Sequence, residues 1–142
     1  MRITVVSFQR SRNPPLEEAE RKYILRLARH AQVELVKLRS ARQGGLPERL
    51  LRSTYRIGLF VEGRTYSSEQ LARHLQDLVR EGHSHLVLVL GGPEGMPAEA
   101  AAQVHERWSL SPLTFSHQLA RLVLLEALYR SWDILAGGAY HK

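Results

Sequence analysis

The chain has 142 residues, 44% of them hydrophobic, no cysteine and a formal net charge of +6. That length implies one domain, able to bury roughly 70% of its unfolded surface without cross-links. The missing cysteines exclude disulfides, thiolate nucleophiles and Cys-based zinc sites. No apolar run approaches the ~20 residues of a membrane helix, and the opening MRITVVSF lacks the core and cleavage site of a signal peptide. The chain therefore reads as soluble and cytoplasmic, with no membrane association.

Residues 2–8 read as a strand. Pro14 and Pro15 then open a helix, because proline fits a first turn, and apolar positions recur at Leu16, Ala19, Tyr23, Ile24 and Leu27. VELVKL (33–38) is a second strand, and QGGLPERLLRST (43–54) a loop with a short helix. RIGLFV (56–61) is a third strand, closed by a turn at Gly63. Ser67 and Gln70 have the spacing of a capping box, opening a helix that carries Leu71, Leu75 and Leu78 and stops near Gly82. HLVLVL (85–90) is apolar from Leu86 onward, as strands buried on both faces are in parallel sheets. Pro97 starts a helix over 98–107, WSLSPLTF (108–115) is a short strand and loop, 117–135 is a long last helix, and GGAYHK is a tail. Alternating strands and helices give one three-layer α/β/α domain over 1–142 with a mostly parallel sheet.

From Arg21 to Arg56 there are ten Lys and Arg against two acids, Glu34 and Glu48. A bias of this kind fits a polyanionic partner, most simply nucleic acid, or a solvated basic face. The stretch LVLVLGGPEGMP (86–97) places three glycines and a proline where ligands bind in open parallel sheets, past the strand's carboxyl end. It is no P-loop, because Met96-Pro97 stands where Lys-Ser/Thr is required, and it lacks the G-x-G-x-x-G spacing. Gly91 and Gly92 would still let backbone approach a flat ligand, or they serve a tight strand-to-helix turn. In the last helix Leu119, Leu122, Val123, Leu125, Ala127 and Leu128 form a broad apolar face, which a dimer interface would cover. Arg121 and Arg130 suit phosphate contacts, and Glu126 can pair with Arg130 at i,i+4. His83 and His85 lack a third ligand, so no metal site is expected, and Trp108 and Trp132 read as core or interface residues.

LGGPEG, SLSPLTFSHQLARLVLLEALYR and the terminal AYHK, in this order, resemble the RlmH family across the chain, most strongly over 86–142. Its members are SPOUT-class (α/β-knot) enzymes that methylate N3 of a pseudouridine in 23S rRNA of the large ribosomal subunit. The resemblance implies a deep C-terminal trefoil knot, S-adenosylmethionine as cofactor and a homodimer. It implies cofactor contacts at Leu59, Gly91, Leu110, Ser111, Pro112, Leu113, Thr114 and Phe115, with the glycine loop as a backbone wall for the adenosyl group. For proton handling and substrate orientation it points to Tyr140 and His141 in the tail, to Arg121 and to His117, for which capping the last helix is an equal reading. The chain departs from the family at Phe60, where many relatives carry an acid, and in a shorter segment over 43–51. A non-catalytic RNA-binding or ribosome-assembly module is the alternative; it accounts for the basic charge but leaves the glycine loop and 110–115 without a purpose.

Overall fold

Five parallel strands form the sheet of the computed structural model, which describes residues 1–8, 12–38 and 45–142. The elements in chain order are β1 (Arg2–Ser7), α1 (Pro14–Leu27), β2 (Gln32–Lys37), a 3-10 helix (Glu48–Leu50), β3 (Tyr55–Arg64), α2 (Ser68–Arg80), β4 (His85–Leu90), α3 (Ala98–Ala102), β5 (Glu106–Trp108) and α4 (His117–Leu135). The strand order is β2-β1-β4-β3-β5. β4 lies between β1 and β3, which is why its apolar run is unbroken: Leu86–Leu90 are all buried.

The two faces are covered unequally. On one, Ile3, Val5, Leu86 and Leu88 meet Leu27 of α1, Leu75 of α2, and Leu124 and Leu128 of α4. On the other, Val6, Phe8, Val87 and Val89 meet Leu46, Leu50 of the 3-10 helix and Ala100 of the five-residue α3, with the partly buried Val36, Leu38, Leu51, Met96 and Val104 around them. The three layers are present, but the second helical layer is thin. α4 packs against both α1 and α2, so much of its apolar breadth is used within the chain. Trp108 and Trp132 are both core residues.

Local signals set several boundaries. Asn13 caps α1, its side chain accepting from Leu16 N at 3.2 Å, with the prolines in the first turn. Ser67 and Gln70 form both bonds of the capping box. Two expectations are corrected. β3 does not end in a turn at Gly63 but runs through it to Arg64, because β5 pairs along it with a register shift between Leu59 and Arg64. A Cβ at Gly63 would lie 2.4 Å from the Trp108 carbonyl carbon, so glycine there permits the approach. The helix expected over 98–107 ends at Ala102, and the strand lies at 106–108 rather than from 108 onward. Edge pairing overrides helix propensity: His105 N donates to Arg56 O at 2.8 Å, and Arg56 Nε donates to Gln103 O. The loop expected over 43–54 is described from Gly45 onward; its first two residues lie outside the described residues.

Candidate active site

Beyond the carboxyl ends of β3 and β4 lies a cavity of about 370 Å³, closed by the segment that joins β5 to α4. Leu59 lines it from β3, Gly91 from the glycine loop, and Leu110, Ser111, Leu113, Thr114 and Phe115 from the joining segment. Pro112 is not among its lining residues. His117 borders it from the first turn of α4, with Ala120 one turn on. The sequence reading missed Phe60, Val61, Leu90 and Met96, which also line it. Strand alternation sends Phe60 and Leu59 to opposite faces, but β4 ends at Leu90 opposite Leu59, so beyond it both sides of β3 border the opening.

The loop is held by its own backbone. Gly92 N donates to Gly95 O at 3.1 Å and Gly95 N to Gly92 O at 2.9 Å, with Gly95 in the left-handed region at φ +87°. A Cβ on Gly91 would lie 2.6 Å from the Gly95 carbonyl carbon, and one on Gly92 only 2.0 Å from the Phe8 carbonyl oxygen. The missing side chains at 91 and 92 are thus required by the loop's fold and its approach to the end of β1. In the joining segment, Ser109 Oγ donates to Ser111 O and Leu113 N donates to Ser111 Oγ, each at 3.0 Å.

Among the described residues no Asp, Glu, Lys or Arg lines the cavity. Its walls are leucine, phenylalanine and bare backbone, with the hydroxyls of Ser111 and Thr114 and the His117 imidazole as polar points. Such a composition suits a flat, largely apolar ligand and offers nothing to a polyphosphate. Burial, and secondarily the charge of Arg121, holds the His117 pKa below that of ordinary histidine, so the ring is neutral at pH 7 and able to accept a proton. The cap of α4 belongs to Ser116, whose hydroxyl accepts from Leu119 N.

The remaining candidates lie elsewhere. Arg121 is buried beneath the surface of α4, forked onto the Glu20 carboxylate of α1 through Nε and Nη2, while Nη1 donates to Ser7 Oγ at 2.9 Å. The tail folds back at Gly137 (φ +72°) onto the far end of α4. Tyr140 N donates to Asp133 Oδ2 at 2.9 Å, and its hydroxyl donates to Glu126 Oε2 at 2.8 Å. Burial, then the hydrogen bonds with Tyr23 and Glu126, raises the Tyr140 pKa. His141 contacts Arg130 Nη1 through Nδ1 (3.0 Å) and Glu69 Oε1 through Nε2 (2.7 Å). Burial opposes ionisation of Glu126, but donation from Arg130 and Tyr140 overcomes it and lowers its pKa. Arg130, thirteen residues after His117, stands roughly 20 Å along the helix. Within one chain, the structure brings His117 to the cavity and leaves Tyr140 and His141 distant from it.

The basic stretch 21–56 is not one free face. Lys37, Arg49 and Arg52 pair with Glu17, Glu34 and Glu48. Arg26 lies over Tyr23 and Tyr129. The Arg56 guanidinium donates to the carbonyls of Gln103, Leu51 and Thr54, and burial lowers its pKa. Arg39 and Arg42 lie outside the described residues. His85 Nε2 is hydrogen-bonded to Thr4 Oγ1 and His83 packs at a tilt against the Tyr55 ring; among the described residues no group of three His, Asp or Glu could hold a metal. Nor is any described helix long and apolar enough to cross a membrane.

Comparison with known proteins gives concordant results. A family model described as "Predicted SPOUT methyltransferase" matches residues 1–141. Ribosomal RNA large subunit methyltransferase H of Pseudomonas paraeruginosa is 39% identical over 141 residues, covering 89% of this chain and 90% of that protein. The proteins of the same name from Alkalilimnicola ehrlichii and Acetivibrio thermocellus are 36% and 35% identical, each over the whole of this chain. A solved structure from Porphyromonas gingivalis, assigned to the TrmH family of RNA methyltransferases, superposes with a TM-score of 0.50 at 16% identity, over 88% of this chain and 58% of that one. At that identity the likeness concerns the fold.

Proposed function

The chain belongs to the SPOUT methyltransferase family, and on that premise we propose that it methylates N3 of a pseudouridine in 23S rRNA of the large subunit, using S-adenosylmethionine. The observation that carries the reading is the cavity beyond the end of β4, whose described lining carries no charged side chain, built by β3, the glycine loop and residues 110–117 in a chain similar to large-subunit rRNA methyltransferases. Leu59, Leu110, Leu113 and Phe115 would hold the adenosyl group between apolar walls, with Gly91 on the backbone side. Pro112 would act by stiffening the segment between Ser111 and Leu113. Bound there, the cofactor supplies a methyl group already activated on a sulfonium, so no metal or covalent enzyme intermediate is needed.

The protein's task is then to align the nucleophile and dispose of its proton. Methylation at N3 would require the N3 proton to leave. His117, neutral and at the cavity, is placed to take it. Tyr140 and His141 stand at the other end of α4, so their part in the substrate site requires a tail from a second copy. This supports a homodimer, as do the exposed Val61, Leu113 and Leu119 around the cavity. Arg121 would orient substrate through the α4 turn that carries His117, since its own guanidinium is committed to Glu20.

The test is calorimetric titration with S-adenosylmethionine, with ATP as control, followed by methylation of unmodified 23S rRNA in ribosomal particles. Saturable binding of the first ligand alone and transfer to one pseudouridine are expected. A truncation lacking residues 140–142 should bind the cofactor yet lose transfer. RNA binding without cofactor binding would support the non-catalytic module instead.

A further inference from the structure

One arginine rests on an aromatic ring that lines the cavity. Gly58 of β3 and Arg107 of β5 are register partners on the face covered by the short α3. A Cβ at Gly58 would lie 2.5 Å from Cε2 of Phe60 and 3.3 Å from Val104 Cγ1, so this glycine leaves the recess in which the Phe60 ring lies back along its own strand. The Arg107 guanidinium sits over that ring, Cζ 4.4 Å from the centroid. Phe60 lines the cavity, whereas Arg107 is exposed and is not among the lining residues. Among the described residues no carboxylate or carbonyl accepts a hydrogen bond from Arg107, unlike Arg52, Arg56, Arg121 and Arg130.

A permanently charged group therefore sits over a ring that lines the cavity, and none of the other described lining residues is charged. Stacking on an aromatic ring occupies a guanidinium's face and leaves its N–H edge free, the edge that matches a phosphate. β5 is the last strand of the sheet, so the space beside Arg107 is open to a polymer. We propose that Arg107, oriented by Phe60, receives a backbone phosphate of the RNA strand whose target base enters the cavity. The inference rests on the RNA methyltransferase reading and deepens it: Arg107 is a substrate-anchoring residue, and Phe60 positions it. The anion lies outside the cavity, where RNA passes, which separates it from the carboxylate of a bound cofactor.

The test compares the full-length protein with Arg107→Ala, Arg107→Lys and Phe60→Leu. The readouts are RNA binding across a salt series, KM and kcat for the ribosomal substrate, and cofactor affinity by calorimetry. Arg107→Ala should weaken RNA binding and raise KM roughly tenfold, the size of one charge-assisted contact, with kcat within about twofold and cofactor affinity unchanged. Its salt slope should fall by about 1. Arg107→Lys should restore the slope but only part of KM, because lysine lacks the fork. Phe60→Leu should raise KM and leave the slope intact. An unchanged slope and KM in Arg107→Ala would overturn the proposal. So would lost cofactor affinity with RNA binding intact, which would assign Arg107 to the cofactor's carboxylate. If the unaltered protein binds RNA without methylating it, the functional reading falls while the salt slope still decides the role of Arg107; if it binds no RNA, both fall.

Discussion

Replacing Glu20 by alanine should cost more stability than any surface change in this protein. Glu20 and Arg121 come from helices 101 residues apart in sequence, and both side chains are 2% exposed. The substitution removes both acceptors of the guanidinium fork and leaves Arg121 with Ser7 Oγ alone. Stranding one partner of a buried pair costs about 3–5 kcal/mol. A domain of this length has an unfolding entropy of about 0.3 kcal/mol/K at its midpoint, so Tm should fall by about 10–17 °C. Circular dichroism melts at one fixed protein concentration would read it, since association makes Tm concentration-dependent. The double variant Glu20→Leu/Arg121→Met should regain most of the loss, because apolar residues of similar volume replace a buried pair at little net cost. That variant also separates two roles for Arg121: methylation retained would confine it to packing, and transfer lost with cofactor binding intact would support substrate orientation. A Glu20→Ala melt within about 3 °C of the parent would refute the premise that the pair is desolvated.

Two further outcomes follow from the cavity. Gly92→Ala puts a methyl 2.0 Å from the Phe8 carbonyl oxygen, so the loop or the end of β1 must shift; stability should fall by about 1–3 kcal/mol and cofactor affinity with it. Gly91→Val should act the same way, through collision with Gly95 and Met96 backbone rather than with ligand; unchanged calorimetric affinity in both would remove the loop from the cofactor's wall. Because burial and Arg121 hold the His117 pKa below the usual value, the ring is neutral through the neutral range and protonates only at a pH below that of ordinary histidine. If it takes the N3 proton, kcat/KM should be flat near neutrality and decline on the acid side, and His117→Gln should abolish that limb; a limb that persists would place the titrating group elsewhere.

Elements fixed by local chemistry were legible in the chain. The unbroken apolar run gave β4 its bounds of His85–Leu90, the Ser67–Gln70 spacing gave the start of α2, and the stripe from 117 to 135 gave α4. Of the residues the motif resemblance named as cofactor contacts, Leu59, Gly91, Leu110, Ser111, Leu113, Thr114 and Phe115 line one cavity and Pro112 does not, while no motif signalled Phe60, Val61, Leu90 or Met96. Elements fixed by pairing were not. Residues 103–107 have helical composition, yet β3 offers them an edge, and the ladder to Ile57–Leu59 wins. The extension of β3 to Arg64 has the same cause.

By itself, then, the sequence determined the order of strands and helices, the parallel character of the sheet and the glycine loop past β4, because periodicity, caps and glycines act within a few residues; residues 110–115 were implied by the family resemblance alone. Only the tertiary structure decided which charges are free. It buried Arg121 on Glu20, tied Arg56 to carbonyls, folded Tyr140 and His141 onto α4, and left Arg107 unbound on Phe60. Apart from i,i+4 pairs such as Glu126–Arg130, charge pairing depends on which side chains meet across the fold, and no spacing along the chain carries that information.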